Sequence, residues 1–371
     1  MTPVEQMARA DIDSFYTLDT AAITRTTSAF SQRFTGKVLY AVKANPLPQV
    51  LEAIVSGGAF GFDVASINEV HETAKFSGQN PSFFMNPAKN RRDIDTAYRS
   101  FGIKSFVVDS QPELDKLLDV LPSSDDEIGL YVRLTTEKSS AIFDLSSKFG
   151  ADAQDAMLMG KNISASTKWR AGLAFHVGSQ TTDAQPYVAA LNLCETLIEK
   201  SGGKFSAVDI GGGFPGRYLN SCGGDFLTTL DTINARIRAS KSLSGVEVFS
   251  EPGRVLVNES MSLFSRVNLR KDRSIYLSEG VYGGLLSAQK WLKFPVSVWR
   301  DGAVLAGEDV DIKIFGPTCD SLDQLGFLYE LPACIGEGDW LEFKHVGAYS
   351  VSLRTHFNGF RTEEIMVTPP R

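Results

Sequence analysis

The feature that most constrains the fold is a series of eight short β-rich runs that alternate with amphipathic segments. Those segments carry apolar residues at helical spacing, for example over residues 111–121 and 187–198. Eight strand-then-helix units in succession predict an α/β chain with a (β/α)8 barrel of the TIM type. The predicted strands are residues 38–42, 59–63, 82–86, 103–109, 128–134, 171–177, 206–210 and 246–251.

The pattern changes after Arg254, where helical periodicity gives way to alternating runs interrupted by glycine and proline. We therefore predict two domains, a barrel over residues 20–255 and an all-β domain over residues 256–371. The strand-like Ser14–Leu18, within residues 1–19, is expected to pair with the β-domain. The strands predicted for that domain are residues 260–268, 294–299, 310–315, 340–343 and 349–354.

Charge and composition narrow the classes of function. The net charge is −7 and the sequence has no basic block, which argues against a nucleic-acid partner. No apolar run reaches the length needed to cross a membrane, and the first residues lack the features of a signal peptide. We expect a cytoplasmic protein with reduced thiols and no metal site, because neither the cysteines nor the histidines show a ligand spacing. They are Cys194, Cys222, Cys319, Cys334, His71, His176, His345 and His356.

The predicted strands end in polar and titratable residues. In a barrel of this type, chemistry takes place where the carboxyl ends of the strands converge. Lys43 follows the first strand and precedes the turn-forming pair Asn45-Pro46. An amine there loses solvation and is a candidate Schiff-base nucleophile, although a lysine that caps a strand in solvent is the alternative. The strand-end residues are Lys43, Asp63, Asn86, Asp109, Arg133, His176, Gly211, Gly212, Gly213 and Glu251.

Two motifs near the last strands suit a phosphorylated ring. The triplet Gly211 to Gly213 can direct backbone N–H groups at an anion, although a tight turn is the alternative. Arg254 offers a guanidinium to phosphate, and a carboxylate such as Glu251 can keep a pyridine nitrogen protonated. These two residues could instead pair with one another.

His176 is the third feature that suits such a ring. Its imidazole could stack on a planar cofactor while Ser179 donates to a phosphate, although a satisfied core histidine is the alternative. In combination with Lys43, Glu251 and Arg254 on the same rim, it indicates pyridoxal phosphate.

Seven ordered motifs carry a resemblance that extends from about Ser14 to Phe360. They are YAVKAN, FDVAS, FHVGSQ, VDIGGGFPG, SEPGR, GPTCDSLD and the series GDWLEF, GAYS and FNGF. In this order they resemble the fold-type III pyridoxal-phosphate decarboxylases, the group that contains the ornithine decarboxylases. The resemblance implies an alanine-racemase-like barrel with a C-terminal β-domain, and pyridoxal 5′-phosphate as the cofactor.

The resemblance also implies a role for each matching residue. Lys43 would hold the cofactor covalently, His176 would stack on its ring, and Glu251 would bind the pyridine nitrogen. Asp63 and Arg133 would support the lysine and the surroundings of the cofactor. The residues implied for the phosphate and its surroundings are Ser179, Gly211, Gly212, Gly213, Gly253, Arg254 and Tyr349.

Substrate residues are implied in the β-domain. Cys319 and Asp320 resemble residues that the partner subunit contributes in this family, so a head-to-tail homodimer with shared active sites is implied. Cys319 would protonate the substrate Cα, although a small buried apolar residue is the alternative. Tyr282 and Phe357 are further implied substrate contacts.

One departure from the family pattern affects the choice of substrate. Asp320 suits the distal cation of ornithine or lysine, but the second acidic residue of the family falls here at Lys290 and Trp291. Either Glu279 or an acid elsewhere replaces it, or the pocket accepts a different substrate. We favour L-ornithine, which yields putrescine and CO2 for polyamine biosynthesis. The alternatives are lysine, arginine, diaminopimelate or a specialised-metabolite intermediate as substrate, or a non-catalytic regulatory homologue.

Overall fold

The computed structural model describes residue 5 and residues 11–136, 142, 148–221 and 224–368. The chain divides into two compact units. The sheet unit is made of the described parts of Met1–Ile23, Gly216–Gly223 and Leu256–Arg371, and the barrel unit is made of those of Thr24–Pro215 and Gly224–Val255. No helix in the described ranges is both long enough and apolar enough to cross a membrane.

The strands in chain order are β1 Ser14–Leu18, β2 Lys37–Ala41, β3 Gly61–Val64, β4 Ser82–Phe84, β5 Ser105–Val108, β6 Gly129–Arg133, β7 Arg170–Ala174, β8 Phe205–Asp209, β9 Glu247–Ser250, β10 Met261–Lys271, β11 Ser274–Leu277, β12 Val296–Arg300, β13 Ala303–Val304, β14 Asp309–Phe315, β15 Tyr329–Pro332, β16 Trp340–Lys344 and β17 Ile365–Val367. The α-helices are α1 Thr20–Arg33, α2 Pro48–Ser56, α3 Ile67–Thr73, α4 Arg91–Phe101, α5 Gln111–Val120, α6 Ala153–Ser166, α7 Gln185–Lys200, α8 Phe226–Arg238, α9 Lys241–Ser244 and α10 Arg254–Val257.

Strands β2 to β9 form a closed parallel barrel. Each of the eight predicted runs overlaps one of them, so the (β/α)8 prediction is confirmed. The barrel closes where β2 pairs with β9, with Lys37 opposite Phe249. Its interior is filled by a cluster of buried side chains that includes Leu39, Phe83 and Tyr131. This packing holds the carboxyl ends of the strands in one ring, which is where the predicted site residues lie.

The barrel helices begin and end at residues with clear local causes. Helix α4 starts after Asn90, whose side chain accepts the backbone N–H of Asp93, and it ends at Gly102 in the left-handed conformation, with φ 66°. Helix α3 starts after Ser66, whose hydroxyl accepts the N–H of Glu69. Both follow the rule that side-chain oxygens satisfy the first N–H groups of a helix.

The sheet unit is a mixed sheet in the order β13-β12-β16-β10-β11-β14-β15. Strand β1 pairs antiparallel with β10 and parallel with β17, so Ser14–Leu18 lies in this sheet. The strand predicted over residues 349–354 is wrong. Tyr349 has φ 57°, and the N–H groups of Leu353 and Arg354 both donate to Ser350 O, so the segment is a turn.

Three of the four cysteines lie in the part of the chain that the structure describes. Cys194, Cys319 and Cys334 are free thiols. Cys222 lies outside the described residues.

Candidate active site

Lys43 and Asp63 form an ion pair at the carboxyl ends of β2 and β3. Lys43 Nζ lies 2.6 Å from Asp63 Oδ2. The carboxylate is almost fully buried, with a side chain 1% exposed, whereas the lysine side chain is 42% exposed. The amine is therefore held by a buried acid at the open end of the barrel rather than extended freely into solvent.

Glu251 and Asp209 are a pair of buried acids at the ends of β9 and β8. Burial raises the pKa of Glu251 well above its ordinary value, and the negative charges of Asp209 and Asp63 raise it further. Burial also raises the pKa of Asp209, whose Oδ1 accepts the Gly211 N–H at 2.8 Å. Glu251 Oε1 is buried and receives no hydrogen bond within the described ranges. A protonated ring nitrogen would supply the missing donor.

His176 is a neutral ring at the end of β7. The backbone N–H of Gly178 donates to His176 Nδ1 at 3.0 Å, so that nitrogen keeps its lone pair. Burial, and then the positive charges of Arg133 and Lys43, lower the pKa of His176 to about 3. An uncharged imidazole with one nitrogen already engaged is suited to contact a planar cofactor through its face.

The glycine loop is packed too closely for any side chain. A Cβ on Gly211, Gly212 or Gly213 would lie 2.3 to 2.4 Å from a backbone carbonyl oxygen, and Gly211 and Gly213 have φ of 65° and 104°. The Glu251 N–H donates to Gly211 O at 2.7 Å, and the Thr181 N–H donates to Gly213 O at 3.0 Å. The loop therefore links the segments that carry His176 and Glu251.

The other predicted cofactor residues of the barrel unit lie at the same end. Arg133 is the last residue of β6, and burial lowers its pKa. Its guanidinium lies 5.5 Å from the centre of the Phe149 ring. Arg254 is buried at the start of α10. Gly253 packs against Ala44, and Ser179 is half-buried just beyond His176.

The predicted substrate residues form one cluster in the sheet unit. The Tyr282 hydroxyl donates to Asp320 Oδ2, and the Tyr282 and Phe357 rings lie 4.7 Å apart. The Leu322 N–H, and then Tyr282, hold the pKa of Asp320 below its ordinary value, so the carboxylate is charged at neutral pH. Cys319 is exposed, which contradicts the alternative of a small buried apolar residue.

Two residues that support this cluster were not predicted. Asn358 Oδ1 accepts the Cys319 N–H at 3.2 Å and lies 3.3 Å from its Sγ. Asp323 is 2% exposed and accepts the N–H groups of Val281 at 2.9 Å and Thr318 at 3.0 Å. The sequence signal for them was their position in the CDSLD and FNGF motifs. Neither was singled out, because the neighbouring Cys319, Asp320 and Phe357 have more obvious chemical roles.

Glu279 does not serve as the missing second acid. It is 2% exposed, and Oε1 accepts the N–H groups of Gly280 and Gly284 at 3.0 and 3.2 Å. Its Oε2 accepts the Thr362 hydroxyl. The carboxylate is committed to the interior of the sheet unit, while Lys290 is exposed at the expected position. Tyr349, the last predicted phosphate residue, lies in the left-handed turn of the same unit.

The residues of the barrel rim fit pyridoxal phosphate. The buried oxygen of Glu251 without a donor matches a pyridine N–H, and the glycine turn at residues 211–213 is the predicted phosphate site. The ion-paired amine of Lys43 matches an aldehyde.

Comparison with known proteins agrees with this fit. Residues 20–258 match the family model described as pyridoxal-dependent decarboxylase, pyridoxal binding domain. The chain is 31% identical to the ornithine decarboxylase of Schizosaccharomyces pombe, over 96% of this chain and 84% of that protein. It is 29% identical to antizyme inhibitor 2 of Xenopus laevis, over 97% and 82%. The crystal structure of lysine/ornithine decarboxylase complexed with putrescine from Vibrio vulnificus superposes with a TM-score of 0.85 at 27% identity, covering 98% of this chain and 97% of that one.

Proposed function

Because this chain belongs to the pyridoxal-dependent decarboxylases, we propose that it decarboxylates L-ornithine to putrescine and CO2, with L-lysine as a second substrate. The observation that carries the choice of substrate is the charged Asp320 carboxylate, presented in a partly exposed cluster with Tyr282 and Phe357. A carboxylate flanked by aromatic rings suits a distal ammonium group.

The barrel unit would hold the cofactor through residues already in place. Lys43 would carry it, Glu251 would accept its ring N–H, and His176 would contact its face. Bound pyridoxal phosphate supplies an electron sink for the bond that breaks at Cα. The phosphate would be held by Ser179, Gly211, Gly212, Gly213, Arg254 and Tyr349, with Gly253 leaving room for the approach.

The remaining roles belong to side chains of this protein. Asp63 orients the Lys43 amine, and His176 presents an uncharged ring to the site. Arg133 balances the buried acids from the end of β6. Cys319 would deliver a proton from its Sγ to Cα after CO2 has left, with Asn358 holding the thiol in place.

We further propose that two copies of the chain share their active sites, with Cys319 and Asp320 supplied by the second copy. Lys43→Ala and Cys319→Ala are each expected to be inactive. Mixing the two would form hybrid dimers with one intact site, and random pairing would restore up to about a quarter of the original activity. Inactive mixtures of two folded dimeric variants that exchange subunits would contradict shared sites.

The decisive experiment is CO2 release with product identification. The protein loaded with pyridoxal phosphate is offered L-ornithine, L-lysine, L-arginine, meso-diaminopimelate and L-glutamate. We expect ornithine to react fastest and Asp320→Asn to raise the KM for ornithine, whereas the exposed control Asp311→Asn has no effect. Preference for arginine or diaminopimelate, or an unchanged KM in Asp320→Asn, would refute the substrate assignment.

A regulatory protein without catalysis is the second candidate, favoured by the similarity to antizyme inhibitor 2. The presence of Lys43, Glu251, His176 and Cys319 together counts against it. The visible absorbance band of the bound cofactor distinguishes the two. Absence of the band in the unaltered protein, with no CO2 release from any substrate, would favour the regulatory role.

A further inference from the structure

A cavity opens at the amino-terminal end of the barrel, the end opposite Lys43 and Glu251. Its volume is about 330 Å³, which is within the usual range of small-molecule pockets, ~300–1,000 Å³. TIM barrels usually fill this region with bulky branched side chains. Here the lining includes Gly129, Gly172 and Ala207. Small residues at the start of β6 and in the middle of β7 and β8 therefore leave an open cavity below the packed side chains of the barrel interior.

The walls of the cavity are aromatic. Phe83 and Phe249 have ring centres 5.1 Å apart, and Tyr131 meets Phe249 edge to face at 6.0 Å. A Cβ on Gly172 would lie 2.7 Å from the Tyr131 ring, so the glycine makes room for that ring. These contacts form a rigid apolar surface that is suited to a flat hydrocarbon group.

Tyr131 also brings a polar atom to the cavity. The residue is 5% exposed and lines the cavity. Its hydroxyl is not among the fully buried polar atoms of the described residues, so it is accessible from the cavity. This hydroxyl is available to a polar substituent of a bound molecule.

Arg170 is a cation at the mouth of the cavity that no carboxylate of the described residues neutralises. Lys37 pairs with Glu247 at 2.6 Å, and Lys104 pairs with Asp125. Arg170 donates only to the backbone oxygen of Glu127, and within the described ranges it forms no ion pair. A planar guanidinium in this position suits a carboxylate.

We propose that this cavity binds a small aromatic carboxylic acid. Its ring lies against Phe83 and Phe249, its carboxylate contacts Arg170, and a hydroxyl at the far end of the ring bonds to Tyr131. None of these residues belongs to the proposed active site. The inference therefore does not depend on the proposed reaction.

Isothermal titration of the pyridoxal-phosphate-loaded protein with 4-hydroxyphenylacetate tests the proposal. We expect one molecule bound per chain. Arg170→Gln should weaken binding by about fivefold, the value of one ion pair at a solvent-exposed position. The matched control Arg238→Gln, an exposed arginine outside the cavity, should leave the affinity unchanged. Ala207→Leu should abolish binding by filling the space.

A comparison of ligands isolates the Tyr131 contact. Tyr131→Phe keeps the ring and removes only the hydroxyl, so it should weaken 4-hydroxyphenylacetate by about fivefold and leave phenylacetate unchanged. Tyramine, which replaces the carboxylate with an amine, should not bind in the cavity. The proposal is overturned if the unaltered protein does not bind 4-hydroxyphenylacetate. It is also overturned if Arg170→Gln and Tyr131→Phe bind as tightly as the control, or if tyramine binding is lost in Ala207→Leu.

Discussion

Replacement of Asp323 by asparagine is expected to loosen the loop that presents Cys319 and Asp320. Each carboxylate oxygen of Asp323 accepts one backbone N–H, from Val281 at 2.9 Å and from Thr318 at 3.0 Å. The side chain thereby ties two loops of the sheet unit together. Asparagine has the same shape, but its NH2 group would face one of these N–H donors.

The magnitude follows from the number of bonds lost. A hydrogen bond to a charged group contributes about 1.5–3 kcal/mol, so Asp323→Asn should lower the free energy of unfolding by about 2–3 kcal/mol. Asp323→Ala loses both bonds and should cost about 3–5 kcal/mol. Because a displacement of about 1 Å in a catalytic group can cost ~100-fold in rate, we expect kcat to fall steeply in both variants.

Urea unfolding followed by tryptophan fluorescence measures the first effect. Three of the four tryptophans, Trp291, Trp299 and Trp340, belong to the sheet unit, so most of the signal reports on it. The midpoint should decrease with an unchanged slope. Asp311→Asn, at an exposed position of β14 in the same unit, should change the free energy of unfolding by less than about 0.5 kcal/mol. If Asp323→Asn matched that control in both stability and kcat, the positioning role of Asp323 would be refuted.

Three further predictions concern the barrel unit. Gly212→Ala places a Cβ 2.4 Å from a backbone carbonyl oxygen. It should therefore lower the free energy of unfolding by about 1–3 kcal/mol and abolish the cofactor absorbance. The control Gly78→Ala, where a Cβ meets no atom within 4 Å, should change neither quantity. The pKa of His176 is lowered to about 3, so its NMR signals should not titrate between pH 5 and 8. As the pH falls below about 6.5 the unfolded state gains a proton that the folded state does not, and the unfolding free energy should decrease; a measured pKa near 6.5 would contradict this. Lys89 is buried, pairs with Glu113 and donates to two backbone oxygens. Lys89→Met should therefore lower the free energy of unfolding, measured with urea, by about 3–5 kcal/mol. An unchanged midpoint would show that the ion pair is dispensable.

The barrel and the membership of its rim could be predicted because both follow from local patterns. Each strand is visible in the sequence as a short β-rich run, and the carboxyl ends of parallel strands in a closed barrel must converge. That alone brings Lys43, His176 and Glu251 to one end of the unit. Asp209 was missed because an acid directly before a glycine turn looks like a turn residue, and only the fold shows that it is buried beside Glu251.

The sheet unit was harder to predict because its details depend on distant partners. Glu279 resembles an available acid in the sequence, but its partner Thr362 is 83 positions away. Asp320 and Asp323 share one motif, yet the first is half-buried and the second is 2% exposed. Tyr349 begins a β-rich run in the sequence. Its left-handed backbone ends any strand, but this conformation cannot be read from the pattern of apolar residues.

The pairing of β1 with β10 and β17 has a consequence for how the chain is made. Leu18 and Thr368 share a hydrogen bond although they are 350 positions apart. A ribosome that adds about 5–20 residues per second completes β17 roughly 20–70 s after β1 has been synthesised. All strands of the barrel unit have been synthesised once the ribosome has added Ser250. That unit can therefore fold while the edges of β1 are still unpaired. The nascent chain therefore carries an apolar strand without its partners for most of its synthesis, and that strand is the segment we expect chaperones to protect.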